Sequence, residues 1–118
     1  MNRKDRSEEQ IKIEHGWQRI LYRFKKNFHK KPDLQEMIFL IGLQEVGKIH
    51  EKFTKEEKQD LMHVGVCTLL SPIGYYTYHG RDEEGWPHFT KNEDIPPLKL
   101  DDQEYLLKQM ILRYFDEN

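Results

Sequence analysis

The chain has 118 residues, one cysteine and a mean hydropathy of -0.92. This length fits one hydrophobic core and is too short for two independent domains. The longest apolar run, Met37 to Ile41, is far below the ~20 residues of a membrane-spanning helix, and the charged N-terminus lacks the apolar segment of a secretory signal. With one cysteine, no intrachain disulfide can form. We therefore expect a single cytoplasmic domain, residues 1–118, without a membrane partner.

Charge is distributed unevenly, although the net charge is only -2. Residues 1–31 contain ten Lys and Arg against four Asp and Glu, and residues 32–118 contain nine against seventeen. Six cations without an intervening acid form a basic face near the end of the first predicted helix. These cations are Arg19, Arg23, Lys25, Lys26, Lys30 and Lys31.

Three interpretations of the basic face stay open. Clustered Lys and Arg bind nucleic acids by releasing counterions from phosphates. Alternatively, the cations form a solvated face that complements the helix dipole, or they contact the acidic part of the chain, within one molecule or across a dimer. Because the chain is slightly acidic and no recognised nucleic-acid motif accompanies the face, nucleic-acid or acidic-partner binding is the alternative function rather than the first.

Apolar residues recur at helical spacing in two segments of the first half. The first helix is predicted over about 7–29, with Ser7 in its capping box, and the second over about 33–52, with Asp33 and Glu36 in its capping box. The second helix is apolar nearly all round, which predicts a central position. A buried strand at its centre is the weaker alternative, because no alternating partner strand is evident.

Two glycines, Gly42 and Gly47, lie within the second predicted helix, where each costs about 1 kcal/mol relative to alanine. Close packing against a neighbouring helix would explain them, and a cofactor approaching the backbone is the alternative. Their spacing before Lys48 imitates a phosphate-binding loop, but Ile49 follows in place of the required hydroxyl. No cofactor is expected.

The third helix is predicted over about 54–78, from the capping box of Thr54 and Glu57 to a terminator at Gly80. Pro72 interrupts it, so a kink or a restarted helix is expected there. The next twenty or so residues show no apolar period and are predicted to form a long loop, which in a compact domain is usually functional or disordered.

A fourth helix is predicted over about 101–116, beginning at the capping pair of Asp101 and Glu104. Four capped apolar segments without a partner for any strand predict an all-α fold. We expect a bundle of four main helices in which the long aromatic loop crosses one end before the last helix.

An aromatic corner, GYYTYHGRDEEGWPHF at residues 74–89, interrupts this ordinary helical pattern. Its aromatic rings could stack on a ligand while histidine or arginine orients polar groups. Alternatively, the tyrosines seal the bundle end and the tryptophan anchors the loop. The candidate binding residues are Tyr75, Tyr76, Tyr78, His79, Arg81, Trp86, His88 and Phe89.

The six histidines make a metal site worth testing, but the sequence contains no Glu-x-x-His or His-Glu-x-x-His motif. A site built from His63, His79 and His88 with Glu84 is chemically feasible and has no spacing signature. Cys67 lies on an apolar helix, where we expect burial and no adjacent histidine, and no nucleophile motif is present. A histidine-ligated metal enzyme is therefore only the second alternative, and no metal ligand is assigned.

The corner and EYLLKQMILRYF at residues 104–115 resemble small uncharacterised bacterial helical proteins with a Gly-Tyr turn, a Gly-Trp-Pro-His-Phe loop and a terminal Tyr-Phe helix. The resemblance covers roughly the last half of the chain and implies a bacterial helical protein, without activity, cofactor or site residues. The residues themselves favour a non-enzymatic protein that binds another protein, a second copy or a small ligand at the aromatic corner.

Overall fold

The structure is a computed structural model that describes residues 3–28, 30–47, 52–96 and 98–116. It contains four helices and one antiparallel hairpin between the last two helices. The elements are α1 Arg3–Phe28, α2 Leu34–Val46, α3 Lys55–Leu70, a 3-10 turn Ser71–Ile73, β1 Tyr76–Arg81, β2 Pro87–Lys91 and α4 Leu100–Asp116.

The central unit is the antiparallel pair of α2 and α3, whose backbones touch. A Cβ atom on Gly42 would overlap the carbonyl oxygen of Leu61, and one on Gly65 would overlap the carbonyl oxygen of Ile38. Only glycine lets two helix backbones approach this closely. The close packing predicted for Gly42 is confirmed, and Gly65 completes the same contact from α3.

The main core lies where α1 and α4 cover this pair. α1 contributes a buried stripe that includes Trp17, Ile20 and Leu21. α1 and α4 also meet through the Phe24 and Phe115 rings, whose centroids are 5.5 Å apart at an interplanar angle of 67°. The largest fully buried side chains are Met37, Ile41, Leu69, Ile111 and Cys67, which confirms the expected burial of the cysteine.

A second, smaller cluster lies at the C-terminal end of α2. Its buried members are Val46, Leu61 and Val64, and half-buried aromatic rings, among them Phe53 and Trp86, pack against it. The hairpin therefore rests on the helices at its turn end. In the part of the chain that the structure describes, every helix is too short or too polar to cross a membrane.

The predicted all-α fold is wrong, because residues of the expected third helix and long loop form the hairpin. α3 ends at Leu70, the Ser71–Ile73 turn follows, and Gly74 precedes the strand. Aromatic and β-branched residues fit a pleated surface better than a helix, and Tyr76, Thr77 and Tyr78 pair with residues of β2. Gly80, expected to end a helix, lies in β1 beside a register shift.

The helix ends differ from the predicted ends in three further places. α1 already begins at Arg3, so Ser7 lies inside it. α2 ends at Val46 because Gly47 adopts φ 75°, so this glycine caps the helix and does not serve packing. α4 begins at Leu100, so Asp101 lies in its first turn and does not cap it. Residues 48–51, within the predicted second helix, lie outside the described residues.

Two predicted capping boxes are confirmed. The Glu36 N–H donates to Asp33 Oδ1 at 2.8 Å, and the Asp33 N–H donates to Glu36 Oε1 at 3.3 Å. Thr54 and Glu57 make the same reciprocal pair at 3.1 Å and 3.0 Å. These local signals fix where α2 and α3 begin.

Candidate functional site

The hairpin divides the aromatic corner between two faces. Tyr78 pairs with Phe89 and Thr77 pairs with Thr90 across the strands. Because successive side chains of a strand point to opposite faces, Tyr76, Tyr78 and Phe89 share the face toward the helices, whereas Thr77, His79 and Thr90 share the outer face. The corner residues therefore do not converge on one site.

The turn between the strands is organised by Asp82. Its Oδ1 accepts hydrogen bonds from the N–H groups of Glu84 at 2.9 Å and Trp86 at 3.0 Å. Its Oδ2 lies 2.8 Å from His88 Nε2. The hydrogen bond from His88 is the main cause that lowers the pKa of Asp82 below its ordinary value, with the backbone donors adding to it. His88 therefore stabilises the turn through its contact with Asp82.

We expect the turn to loosen in acid and in the Asp82→Asn variant. A carboxyl group with a lowered pKa stabilises the fold above its ordinary pKa, and that contribution is lost as the pH falls through the lowered value. The amide protection factors of Glu84 and Trp86, obtained by NMR as the intrinsic exchange rate divided by the measured rate at the same pH, should fall in the native protein as the pH is lowered from about 6 to about 2. In Asp82→Asn, whose side chain does not titrate, the protection factors should be lower at pH 6 and should not depend on pH. A profile equal to that of the native protein would contradict this role.

Arg81 fastens the hairpin to the C-terminal end of α2. Its Nη1 donates to the carbonyl oxygens of Glu45 at 2.5 Å and Gly85 at 2.9 Å, and its Nη2 lies 3.5 Å from Glu45 Oε2. A cation at this end is favoured by the unpaired carbonyls and the helix dipole. Tyr114 of α4 hydrogen-bonds to the Glu45 side chain, and burial followed by the Glu45 charge raises the pKa of Tyr114 to about 12.

Two depressions of about 320 Å³ and 330 Å³ flank Glu45. The second is lined by Tyr78, Arg81 and Phe89 from the aromatic corner, together with Thr68 of α3. Because the Glu45 carboxylate already contacts Arg81 and Tyr114, the polar groups here satisfy one another. This junction joins α2, the hairpin and α4, and we assign it an anchoring role.

The thiol of Cys67 has a histidine neighbour, contrary to the prediction. Cys67 Sγ lies 3.5 Å from His63 Nε2, one helical turn away on α3. The thiol is fully buried, and burial raises its pKa to about 11. A nucleophilic cysteine needs a lowered pKa and access to substrate, so this pair is not a catalytic dyad.

The hypothetical histidine metal site is not assembled. His63 contacts Cys67, His79 Nε2 lies 2.6 Å from Thr90 Oγ1, and His88 binds Asp82. Among the described residues, no three His, Cys, Asp or Glu side chains are grouped to hold an ion. The backbone N–H of Glu84 donates to Asp82 Oδ1, and its carboxylate belongs to no such group. His29 and His50 lie outside the described residues.

A further concave space, larger than the two depressions at Glu45, lies beneath the base of the hairpin, and we call it the hairpin cavity. Its volume is about 560 Å³, and its walls come from α3, α4, the hairpin and the segments 92–96 and 98. Two residues of the aromatic corner, Tyr75 and Tyr76, line it. The apolar lining residues are Val66, Leu70, Ile95, Pro96, Leu98, Leu106 and Leu107.

Most of this lining was not predicted, because half-buried leucine and valine at helical spacing cannot be distinguished from core residues in the sequence. Val66 and Leu70 lie one turn apart on α3 and do pack against the main core. The parts of these two side chains that the core does not cover line the cavity, which lies between the helices and the base of the hairpin. The hairpin was not predicted, so the cavity could not be either.

The predicted basic face is exposed at all six positions, of which four lie on α1 and two, Lys30 and Lys31, follow its end. Lys30 Nζ lies 3.2 Å from Glu36 Oε2, which is an exposed ion pair. The face also contains Tyr22, whose side chain is 67% exposed. It lies on a different element from the hairpin cavity, so the two are separate candidate sites.

No family model, curated protein or solved structure compared with the chain matches it. The resemblance to small bacterial helical proteins therefore stays a prediction.

Proposed function

We propose that the protein binds a small, largely apolar molecule in the hairpin cavity, without catalysing a reaction on it. The observation that carries this proposal is an apolar space of about 560 Å³ between four structural elements. Ligand sites are usually concave, mostly apolar and ~300–1,000 Å³ in volume. The fully buried thiol and the separated histidines favour binding over catalysis.

The polar groups around the cavity suggest an amphipathic ligand. Asn92 is committed to the fold, since its amide donates to Gly74 O at 2.7 Å and accepts from Thr77 Oγ1 at 2.9 Å. Lys91, opposite Tyr76 in the register, is exposed at the same rim. Its ammonium group can pair with one anionic or hydrogen-bond-accepting group, while the apolar body of the ligand lies among the leucines. Glu93 at the rim disfavours a second anionic group.

A fluorescent probe of this chemistry, anilinonaphthalene sulfonate, should bind the native protein saturably. Val66→Phe places a larger side chain in the cavity, and each displaced ligand atom is worth about 0.3 kcal/mol, so we expect affinity to fall on the order of tenfold. The matched control is Gln59→Phe, which adds the same ring at an exposed position of α3. The control should bind as the native protein does.

Thermal unfolding of both variants would show that each is folded before the titration is compared. Equal probe affinity in Val66→Phe and Gln59→Phe would exclude the hairpin cavity as the binding site. A molecule released from freshly purified native protein, and missing from Val66→Phe, would identify the natural ligand by mass spectrometry.

A further inference from the structure

The outer surface of α1 combines cations with an exposed aromatic ring. α1 buries Trp17, Ile20 and Leu21 along one stripe. At 3.6 residues per turn, a second stripe runs along the opposite side of the helix and faces away from the core. We call it the outer stripe. Its members are Lys12, His15, Arg19, Tyr22, Arg23 and Lys26, and all six are exposed.

The spacing of the outer stripe is regular. Tyr22 lies three and four residues from Arg19 and Lys26, so both cations are its neighbours on the helix surface. Arg23 lies beside it. From Lys12 to Lys26 the stripe extends about 21 Å at ~1.5 Å per residue. A chain of phosphates laid along this stripe would meet a cation on each side of the ring.

Carboxylates of the same helix do not neutralise the centre of the stripe. Glu14 points toward α4, where Lys108 Nζ lies 3.6 Å from its Oε2. Within the described ranges, no carboxylate forms an ion pair with Arg19, Arg23 or Lys26. These three cations are therefore available to an external anion.

We infer that the outer stripe of α1 binds single-stranded nucleic acid, with phosphates on Arg19, Arg23 and Lys26 and a base stacked on Tyr22. Cations along a backbone path with an interleaved aromatic platform are the general chemistry of single-strand binding. A base pair in a duplex cannot stack on an external ring, so single strands are preferred. A membrane surface fits less well, because the apolar stripe of α1 is already buried against the core.

The electrostatic part is tested with fluorescein-labelled oligo(dT) of about 20 nucleotides, longer than the ~4–16 nucleotides such sites cover. Each neutralised phosphate contributes about -0.7 to the slope of log affinity against log salt. The three phosphate contacts predict a slope of about -2, and Arg19→Gln/Arg23→Gln should lower its magnitude by about two-thirds. The matched control, Lys55→Gln/Lys58→Gln, removes the same charge from exposed positions of α3 and should leave the slope unchanged.

The stacking part is tested at Tyr22, which is exposed enough to replace without unfolding the protein. Tyr22→Ala should weaken oligo(dT) binding at least about fivefold, and Tyr22→Phe should restore most of the affinity, because the ring rather than the hydroxyl stacks. Duplex DNA of the same length should bind more weakly than the single strand and should be insensitive to Tyr22→Ala.

Four results would overturn the inference: no retardation of oligo(dT) at about 50 mM salt, equal losses in the two charge variants, no effect of Tyr22→Ala, or equal competition by poly-glutamate. The last result would identify an acidic protein surface as the partner. None of these outcomes depends on the hairpin cavity, so the two sites are tested independently.

Discussion

Gly42→Ala is expected to destabilise the protein by about 3 kcal/mol or more, at the upper end of the cost of overpacking. The added methyl group would overlap the Leu61 carbonyl oxygen, which is backbone and cannot rotate away. α2 and α3 must then separate, and every contact along their interface weakens. Gly65→Ala should have a similar cost, because its methyl group would meet the Ile38 carbonyl oxygen. Urea unfolding followed by circular dichroism measures both.

Gly16→Ala is the matched control for these variants. Its Cβ atom would lie 3.1 Å from Leu112 Cδ2, a side-chain atom that can shift. Alanine is also favoured over glycine in a helix by about 1 kcal/mol, so the net change should stay within about 1 kcal/mol. Stability of Gly42→Ala equal to that of Gly16→Ala would show that the two helices are not in backbone contact.

Trp86→Ala is expected to cost about 2–3 kcal/mol of stability. Removing a fully buried tryptophan or phenylalanine costs about 3–5 kcal/mol, and Trp86 is half-buried against the cluster of Val46, Leu61 and Val64. The loss should appear in chemical unfolding and should be accompanied by faster amide exchange in β1 and β2. Trp86→Phe should recover part of the stability.

Tyr78→Ala is the control for Trp86, since this neighbouring aromatic side chain is 52% exposed. We expect less than about 1 kcal/mol from its loss. Unchanged unfolding of Trp86→Ala would instead favour the interpretation of Trp86 as a ligand-contacting residue. The two variants therefore decide which of the corner aromatics anchor the hairpin.

The helices were predictable where local signals fix them. The capping boxes at Asp33 and Thr54 depend on residues three positions apart, so they can be read directly from the sequence. The closeness of α2 and α3 was visible in Gly42, because a glycine inside an apolar helix requires a packing reason. Gly47 showed the limit of this reasoning, since the same residue type also ends helices in the left-handed conformation.

The hairpin was not predicted because neither strand has a strong signal of its own, and each is recognisable only once its pairing with the other is known. Ser71 and Pro72 imitate the start of a new helix, and this local signal outweighed the strand propensity of the tyrosines that follow. The turn chemistry of Asp82 with Gly85 was the signal that could have revealed it, since an aspartate with a glycine three residues later is typical of a tight turn. A turn predicted at Asp82–Gly85 would also have brought the flanking segments together, with Tyr78 opposite Phe89.

The candidate site was predictable only in part for the same reason. Alternation along β1 separates His79 on the outer face from Tyr76 and Tyr78 on the inner face. Tyr76 lines the hairpin cavity and Tyr78 does not, because the cavity lies beneath the base of the hairpin and Tyr78 is nearer the junction at Glu45. Which tyrosine lines the cavity depends on the strand register, and the register cannot be derived from the amino-acid composition of the segment.

The hairpin also links cavity occupancy to the stability of the whole chain. An isolated two-stranded hairpin is marginal in water, so β1 and β2 depend on the α2 and α3 surface that holds Arg81 and Trp86. The cavity wall consequently exists only while those helices are paired. By mass action, any molecule that binds there stabilises the whole helical pair, including α2, which does not line the cavity, by ~2.7 kcal/mol at a hundredfold excess over its Kd.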